Sequence, residues 1–130
     1  MDKKIIEELL AAARDTADKS YSPYSKFPVG AALLGKSGKI YTGTNIENAS
    51  YGLTNCAERT AVFSAVTAGE REFDAILIYT PTEKFTTPCG ACRQVLAEFS
   101  PEMTVILAKE DGGTMITKLS DIFPWNFNLK

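Results

Sequence analysis

The three cysteines of this chain fall in two short motifs, Cys56-Ala57-Glu58 and Pro88-Cys89-Gly90-Ala91-Cys92, and the first stands two residues before a carboxylate. The chain has no histidine, so thiolates are the natural donors for a transition metal. A structural zinc site is closed by four protein ligands, whereas a catalytic one keeps a position open for water. Cys56, Cys89 and Cys92 therefore point to an open zinc site. Glu58 could sit beside that metal on a helix without ligating it, the place for a general acid/base. Other readings of the same residues stand beside this one. Cys89 and Cys92 could form a dithiol redox pair, or the cysteines could be buried small hydrophobes. A closed structural site could borrow an Asp or Glu, and a secreted disulfide framework would leave one cysteine over. Glu58 also has the spacing of a capping-box glutamate opened by Asn55.

Both cysteine motifs lie where helices are expected to begin, and unpaired N–H groups there favour thiolate over thiol. Three thiolates on a divalent zinc leave one formal negative charge, which weakens the metal's ability to acidify water. Arg59 and Arg93, adjacent to Glu58 and Cys92, are expected to drain that charge by donating hydrogen bonds to sulfur. The bland alternative for each arginine is a surface ion pair.

The elements that must position these residues are legible in outline. Ile5, Ile6, Leu9, Leu10 and Ala13 recur at helical spacing and predict a first helix over residues 3–19. Residues 29–34 and 39–45 are apolar-rich runs around Gly35-Lys36-Ser37-Gly38 and predict an antiparallel hairpin. Asn55 is expected to cap a second helix that Gly69 ends. Residues 75–80 and 103–108 read as buried strands, and residues 114–117 as a brief edge strand. Between the two buried strands, Thr87 as cap and Pro88 as first residue predict a third helix closed by Ser100-Pro101. Helices alternating with strands after an initial hairpin argue for an α/β fold, a mixed sheet with helices on its faces.

The length of 130 residues fits one domain, residues 1–130, with no internal repeat or linker. No apolar run approaches the ~20 residues of a membrane span, and the N-terminus lacks a signal-peptide core, so a cytoplasmic location is expected. A net charge of −2 leaves no basic stripe to track a nucleic-acid polymer.

Four stretches together resemble the small, one-domain, homotetrameric cytidine deaminases. They are Tyr21-Ser22-Pro23-Tyr24-Ser25-Lys26-Phe27-Pro28-Val29-Gly30-Ala31-Ala32, Gly43-Thr44-Asn45-Ile46-Glu47-Asn48-Ala49-Ser50-Tyr51, Cys56-Ala57-Glu58-Arg59 and Pro88-Cys89-Gly90-Ala91-Cys92-Arg93-Gln94. The resemblance implies a three-layer α/β/α fold on a mostly five-stranded mixed sheet, with one zinc ion per subunit. It implies that Phe27 packs on the pyrimidine and that Asn45 and Glu47 bond the ribose 3′-hydroxyl. The Ala57 N–H would hold the base carbonyl, and a carbonyl before Cys89, that of Thr87, would receive the amine. Tyr51 and Phe127 are similar to residues that family members offer to a neighbouring subunit's site. Trp125-Asn126 stands between Pro124 and Phe127 where small residues are usual, and Phe127 alone would be read as a core or interface aromatic. Taken alone, Phe27 would likewise be core, and Asn45 and Glu47 loop polar residues.

The activity so implied is hydrolytic deamination of cytidine and 2′-deoxycytidine to uridine and 2′-deoxyuridine, releasing ammonia, in pyrimidine salvage. A carboxylate at the ribose 3′ position, with no glycine-rich phosphate cradle, favours free nucleosides over nucleotides. The competing readings are a deaminase of an aminonucleoside antibiotic such as blasticidin S, a non-catalytic zinc-binding protein, and a polynucleotide-editing enzyme. Retention of Glu58 opposes the second, and the acidic balance opposes the third.

Overall fold

Every second residue of the apolar strands belongs to a different core, and this alternation organises the computed structural model, which describes residues 1–130. In β1 (Gly30–Gly35), Ala31 and Leu33 enter one core while Ala32 and Leu34 enter the other. The same division runs through β3 (Phe73–Tyr79), where Ile76 and Ile78 oppose Ala75 and Leu77, and through β4 (Thr104–Ala108). Helix α1 (Lys3–Ala17) covers one face through Leu9 and Ala13, and its start is capped by the Asp2 carboxylate on the Lys4 N–H. Helices α2 (Ala57–Thr67) and α3 (Gly90–Phe99) cover the other face. The result is the three-layer α/β/α sandwich on a five-stranded mixed sheet.

With β2 (Ile40–Thr44) and β5 (Thr114–Lys118) at its edges, the strand order is β2-β1-β3-β4-β5. β3 and β4 run parallel, and the other neighbours are antiparallel. A short α4 (Leu119–Ile122), absent from the sequence expectations, seals the α2/α3 core with Leu119. No helix is long and apolar enough to cross a membrane.

The register determines where the site forms. Gly30 pairs with Thr44 on one side and with Tyr79 on the other, so the start of β1 and the ends of β2 and β3 share one end of the sheet. The segments that run on from β2 and β3 lead into α2 and α3, which therefore both begin near that end.

Two expected caps are displaced. Asn55 is not the N-cap of α2. Its backbone instead exchanges two 2.9 Å hydrogen bonds with Ile46, and Cys56 takes the cap position. Likewise α3 is capped by Cys89 and starts at Gly90, rather than at Pro88 after a Thr87 cap. In both cases the cysteine occupies the half-helical residue itself. Its side chain makes no capping hydrogen bond to the helix backbone and is left to face outward from the terminus.

Gly43 shows how tightly α2 is seated. A Cβ there would collide with the Ala57 carbonyl oxygen and the Ala61 nitrogen, both backbone atoms of the helix that carries Glu58. Backbone cannot rotate aside as a side chain can, so Gly43→Ala should destabilise by about 1–3 kcal/mol, the usual range for overpacking. Thermal unfolding and activity would both report it, and an unchanged Tm would show that α2 is free to shift.

Candidate active site

Two helix N-termini converge on a cluster of sulfur atoms. The Cys56 and Cys89 Sγ atoms are 3.9 Å apart, Cys89 and Cys92 are 3.4 Å apart, and all three lie within 4.8 Å of one another. Tetrahedral zinc with Zn–S bonds of about 2.3 Å requires neighbouring sulfurs about 3.8 Å apart, so the spacing fits that ion. Cys92 is buried, Cys56 half-buried and Cys89 exposed, leaving one side of the cluster open.

At Cys56 the electrostatics already favour thiolate. A hydrogen bond with Cys92, followed by the contact with Arg59, brings the Cys56 pKa down to about 5, while Cys92 is pushed up by that same shared contact and by burial. The Arg59 Nη2 donates to Cys56 Sγ at 3.2 Å, and that contact in turn holds the guanidinium charged. Its Nε is buried without a partner, a local cost of about 1–3 kcal/mol.

Arg93 departs from expectation. Its Nε donates to the Pro88 carbonyl at 2.8 Å and its Nη1 to the Ile122 carbonyl at 2.7 Å. The guanidinium thus ties the segment before Cys89 to α4. The expectation that it bonds a sulfur and drains charge from the cluster is corrected, because two backbone carbonyls, one of them on an element not foreseen in the sequence, claim its donors.

Glu58, the second residue of α2, is only 6% exposed, and burial pushes its pKa up to about 7. A carboxyl with that value can take or give a proton near neutral pH. It lines a cavity of about 380 Å³ together with Phe27, Asn45, Glu47, Cys56, Ala57, Thr87 and Cys89. Four loops that are remote in sequence thus supply one wall each. Ala57 is the first residue of α2, so its N–H has no partner within the helix and is free for an acceptor.

Asn45 and Glu47 are held before any ligand arrives. Asn45 Oδ1 accepts from Ser20 Oγ at 2.6 Å and from the Val29 N–H at 2.9 Å, and its Nδ2 donates to the Phe27 carbonyl at 2.8 Å. Glu47 Oε1 accepts from the N–H groups of Tyr24 and Ser25 at 3.0 and 3.1 Å, and Oε2 accepts from Ser25 Oγ. The Ser25 hydroxyl lowers the Glu47 pKa most.

Tyr51 stands apart, 79% exposed, in an adjoining hollow of about 320 Å³ shared with Tyr24, Ser25, Glu47 and Thr54. Phe127 does not line the cavity of its own chain. It is 68% exposed on a C-terminal tail anchored by Gln94 Nε2 on its carbonyl at 3.0 Å, two residues past a fully exposed Trp125 in the left-handed region (φ 57°). Sequence reasoning missed Ser25, Thr54 and Thr86, which also line the cavity. Ser25 carried a signal, since it stands inside the stretch before Phe27, whereas Thr54 and Thr86 had none.

A fold and a cluster of this kind define a zinc-dependent deaminase architecture. The chain belongs to the family described as "Cytidine and deoxycytidylate deaminase zinc-binding region", which it matches over residues 3–108. It is 48% identical to a cytidine deaminase of Sporosarcina psychrophila over 95% of this chain and 91% of that one. The crystal structure of cytidine deaminase from Burkholderia pseudomallei superposes with a TM-score of 0.90 at 46% identity, covering 98% of this chain and 100% of the other. A blasticidin-S deaminase of Bacillus cereus is also similar, at 29% identity over 92% of this chain and 90% of its own length.

The sulfur cluster can be tested for metal binding. Replacing a thiolate by a hydroxyl removes a soft donor from a three-donor set, so Cys89→Ser or Cys92→Ser should weaken zinc binding by more than the roughly 10–100-fold that a lost outer partner costs. Competition with a chromogenic chelator would measure it, and native affinity in either variant would remove that cysteine from the site.

Proposed function

We propose that this chain is a zinc-dependent cytidine deaminase. It hydrolyses cytidine and 2′-deoxycytidine to uridine and 2′-deoxyuridine and releases ammonia. The observation that carries the reading is the meeting of three sulfur ligands and a buried carboxyl of raised pKa in one nucleoside-sized cavity. Cys56, Cys89 and Cys92 would hold one zinc ion, which when bound acidifies water so that it attacks at neutral pH. Glu58 takes the proton from the attacking water and passes it to ring N3 of the pyrimidine. Glu58 then takes the second proton of that water from the hydroxyl formed at C4 and delivers it to the amine, so that the C4–N bond breaks, ammonia leaves and the oxygen becomes the new C4 carbonyl.

The remaining residues hold and orient the substrate. Phe27 packs against the base, the free Ala57 N–H bonds its carbonyl oxygen, and the Thr87 carbonyl receives the amine. Asn45 and Glu47 read the ribose 3′-hydroxyl, and the Glu47 carboxylate repels a phosphate at that position. Arg59 supplies the positive charge that three thiolates require. The alternative of a blasticidin-S-type deaminase is less well supported, since that relative is 29% identical against 48% for the cytidine deaminase.

The enzyme is read as a single domain working in the cytoplasm, where free cysteines remain reduced. It is also read as a homotetramer with shared sites. The support is the exposed apolar surface of Tyr51, Leu53, Ile116, Phe127 and Leu129, which a lone subunit leaves in water.

Glu58→Ala should keep zinc and fold while losing at least about 10²–10⁴-fold in turnover, the usual worth of a general acid/base. Zinc content, circular dichroism and the absorbance change of cytidine check this together, and loss of zinc with activity would make Glu58 a ligand instead. For the shared site, Phe127→Ala subunits mixed with Glu58→Ala subunits should recover activity above the sum of the two. Confirmed subunit exchange without recovery would refute a Phe127 supplied by a neighbour.

A further inference from the structure

The loop before β1 contains one hydroxyl that touches two walls of the cavity at once. Ser25 Oγ donates to Glu47 Oε2 and accepts from the Phe27 N–H at 3.1 Å. Lys26, between them, adopts a left-handed φ of 57°, a conformation that a side-chain-bearing residue keeps only when its surroundings hold it there. The holding contacts are on both sides of it. The Lys26 N–H donates to the Ser22 carbonyl at 2.9 Å, while the Ser25 hydroxyl bridges from the Glu47 carboxylate to the residue that follows.

A carboxylate has about four acceptor positions, two on each oxygen. On Glu47, both positions of Oε1 are taken by the Tyr24 and Ser25 N–H groups, and one of Oε2 by the Ser25 hydroxyl. A single acceptor position remains, on the oxygen that Ser25 touches. Ser25 and Glu47 line the same cavity as Phe27 and Glu58.

We propose that Ser25 is a positioning residue for substrate specificity: its hydroxyl aims the one free acceptor of Glu47 at the ribose 3′-hydroxyl and fixes Phe27 in register with it. The ribose and the base are then read by one rigid unit rather than by two independent loops. The proposal rests on the reading of Glu47 as the ribose contact. It adds that Glu47 selects for the 3′-hydroxyl only while Ser25 orients it, and that Ser25 affects binding rather than the chemical step.

The test uses the zinc-loaded enzyme with two substrates, cytidine and 3′-deoxycytidine, which differ only in the hydroxyl at issue. In Ser25→Ala, KM for cytidine should rise roughly ten-fold, the scale of one charge-assisted hydrogen bond, with kcat within about three-fold of native. KM for 3′-deoxycytidine should change far less, so the preference for cytidine should collapse. Ser25→Thr, which keeps the hydroxyl, should restore the preference. A merely structural role would lower Tm and penalise both substrates equally, and that result, or unchanged constants, would overturn the proposal. Glu47→Ala separates the two layers. If it erases the preference and Ser25→Ala does not, only the role of Ser25 falls. If it leaves the preference intact, the ribose reading of Glu47 falls and the proposal with it.

Discussion

The position of Gly30 between Thr44 and Tyr79 is the constraint on which the site depends. It forces the loop before β1 and the segments after β2 and β3 to leave the sheet at one end. Everything chemical in the molecule is carried on those segments or on the first turns of the helices they enter. The position tolerates little, because a Cβ on Gly30 would strike the Ala13 carbonyl of α1. Gly43 imposes the same close approach on the other face, beneath α2. Absence of side chains at these two places lets both helix layers settle against the sheet, and the depth at which α2 settles places Cys56 and Glu58.

Charge within the sulfur cluster follows from that seating. Two helix termini direct their positive ends at Cys56 and Cys89, and Arg59 adds a full positive charge against Cys56. One turn of helix therefore brings together a thiol, a buried carboxyl and a guanidinium, in three different environments. Burial raises the Glu58 pKa while the arginine contact helps to lower that of Cys56, so neighbouring groups end with opposite preferences for the proton. Arg93 works on the backbone instead, fastening the approach to Cys89 onto α4. The two arginines look alike in sequence and differ because one reaches sulfur and the other meets carbonyls first.

Polar side chains on the opposite wall are fastened by their own loops. Asn45 bonds residues at both ends of the loop before β1, and Glu47 is gripped by Tyr24 and Ser25. Such preorganisation lowers the ordering cost that a ligand would otherwise meet. By contrast Tyr51, Trp125 and Phe127 are exposed.

The sequence by itself determined the three cysteines that cluster, the carboxylate beside them and most of the elements. These properties are local, since helical spacing, alternating strands, turn glycines and the Cys-x-Glu and Cys-x-x-Cys spacings are all written within a few residues. Boundaries failed where a long-range contact outcompeted a local signal. Asn55 has the chemistry of a cap, but its backbone pairs with Ile46, and the cap passes to Cys56. Strand order, the depth of α2, the different fates of Arg59 and Arg93 and the grip of Ser25 on Glu47 were decided only in three dimensions. Each depends on segments more than ten residues apart, or on which of several acceptors a long side chain meets first, and no short-range pattern encodes that choice.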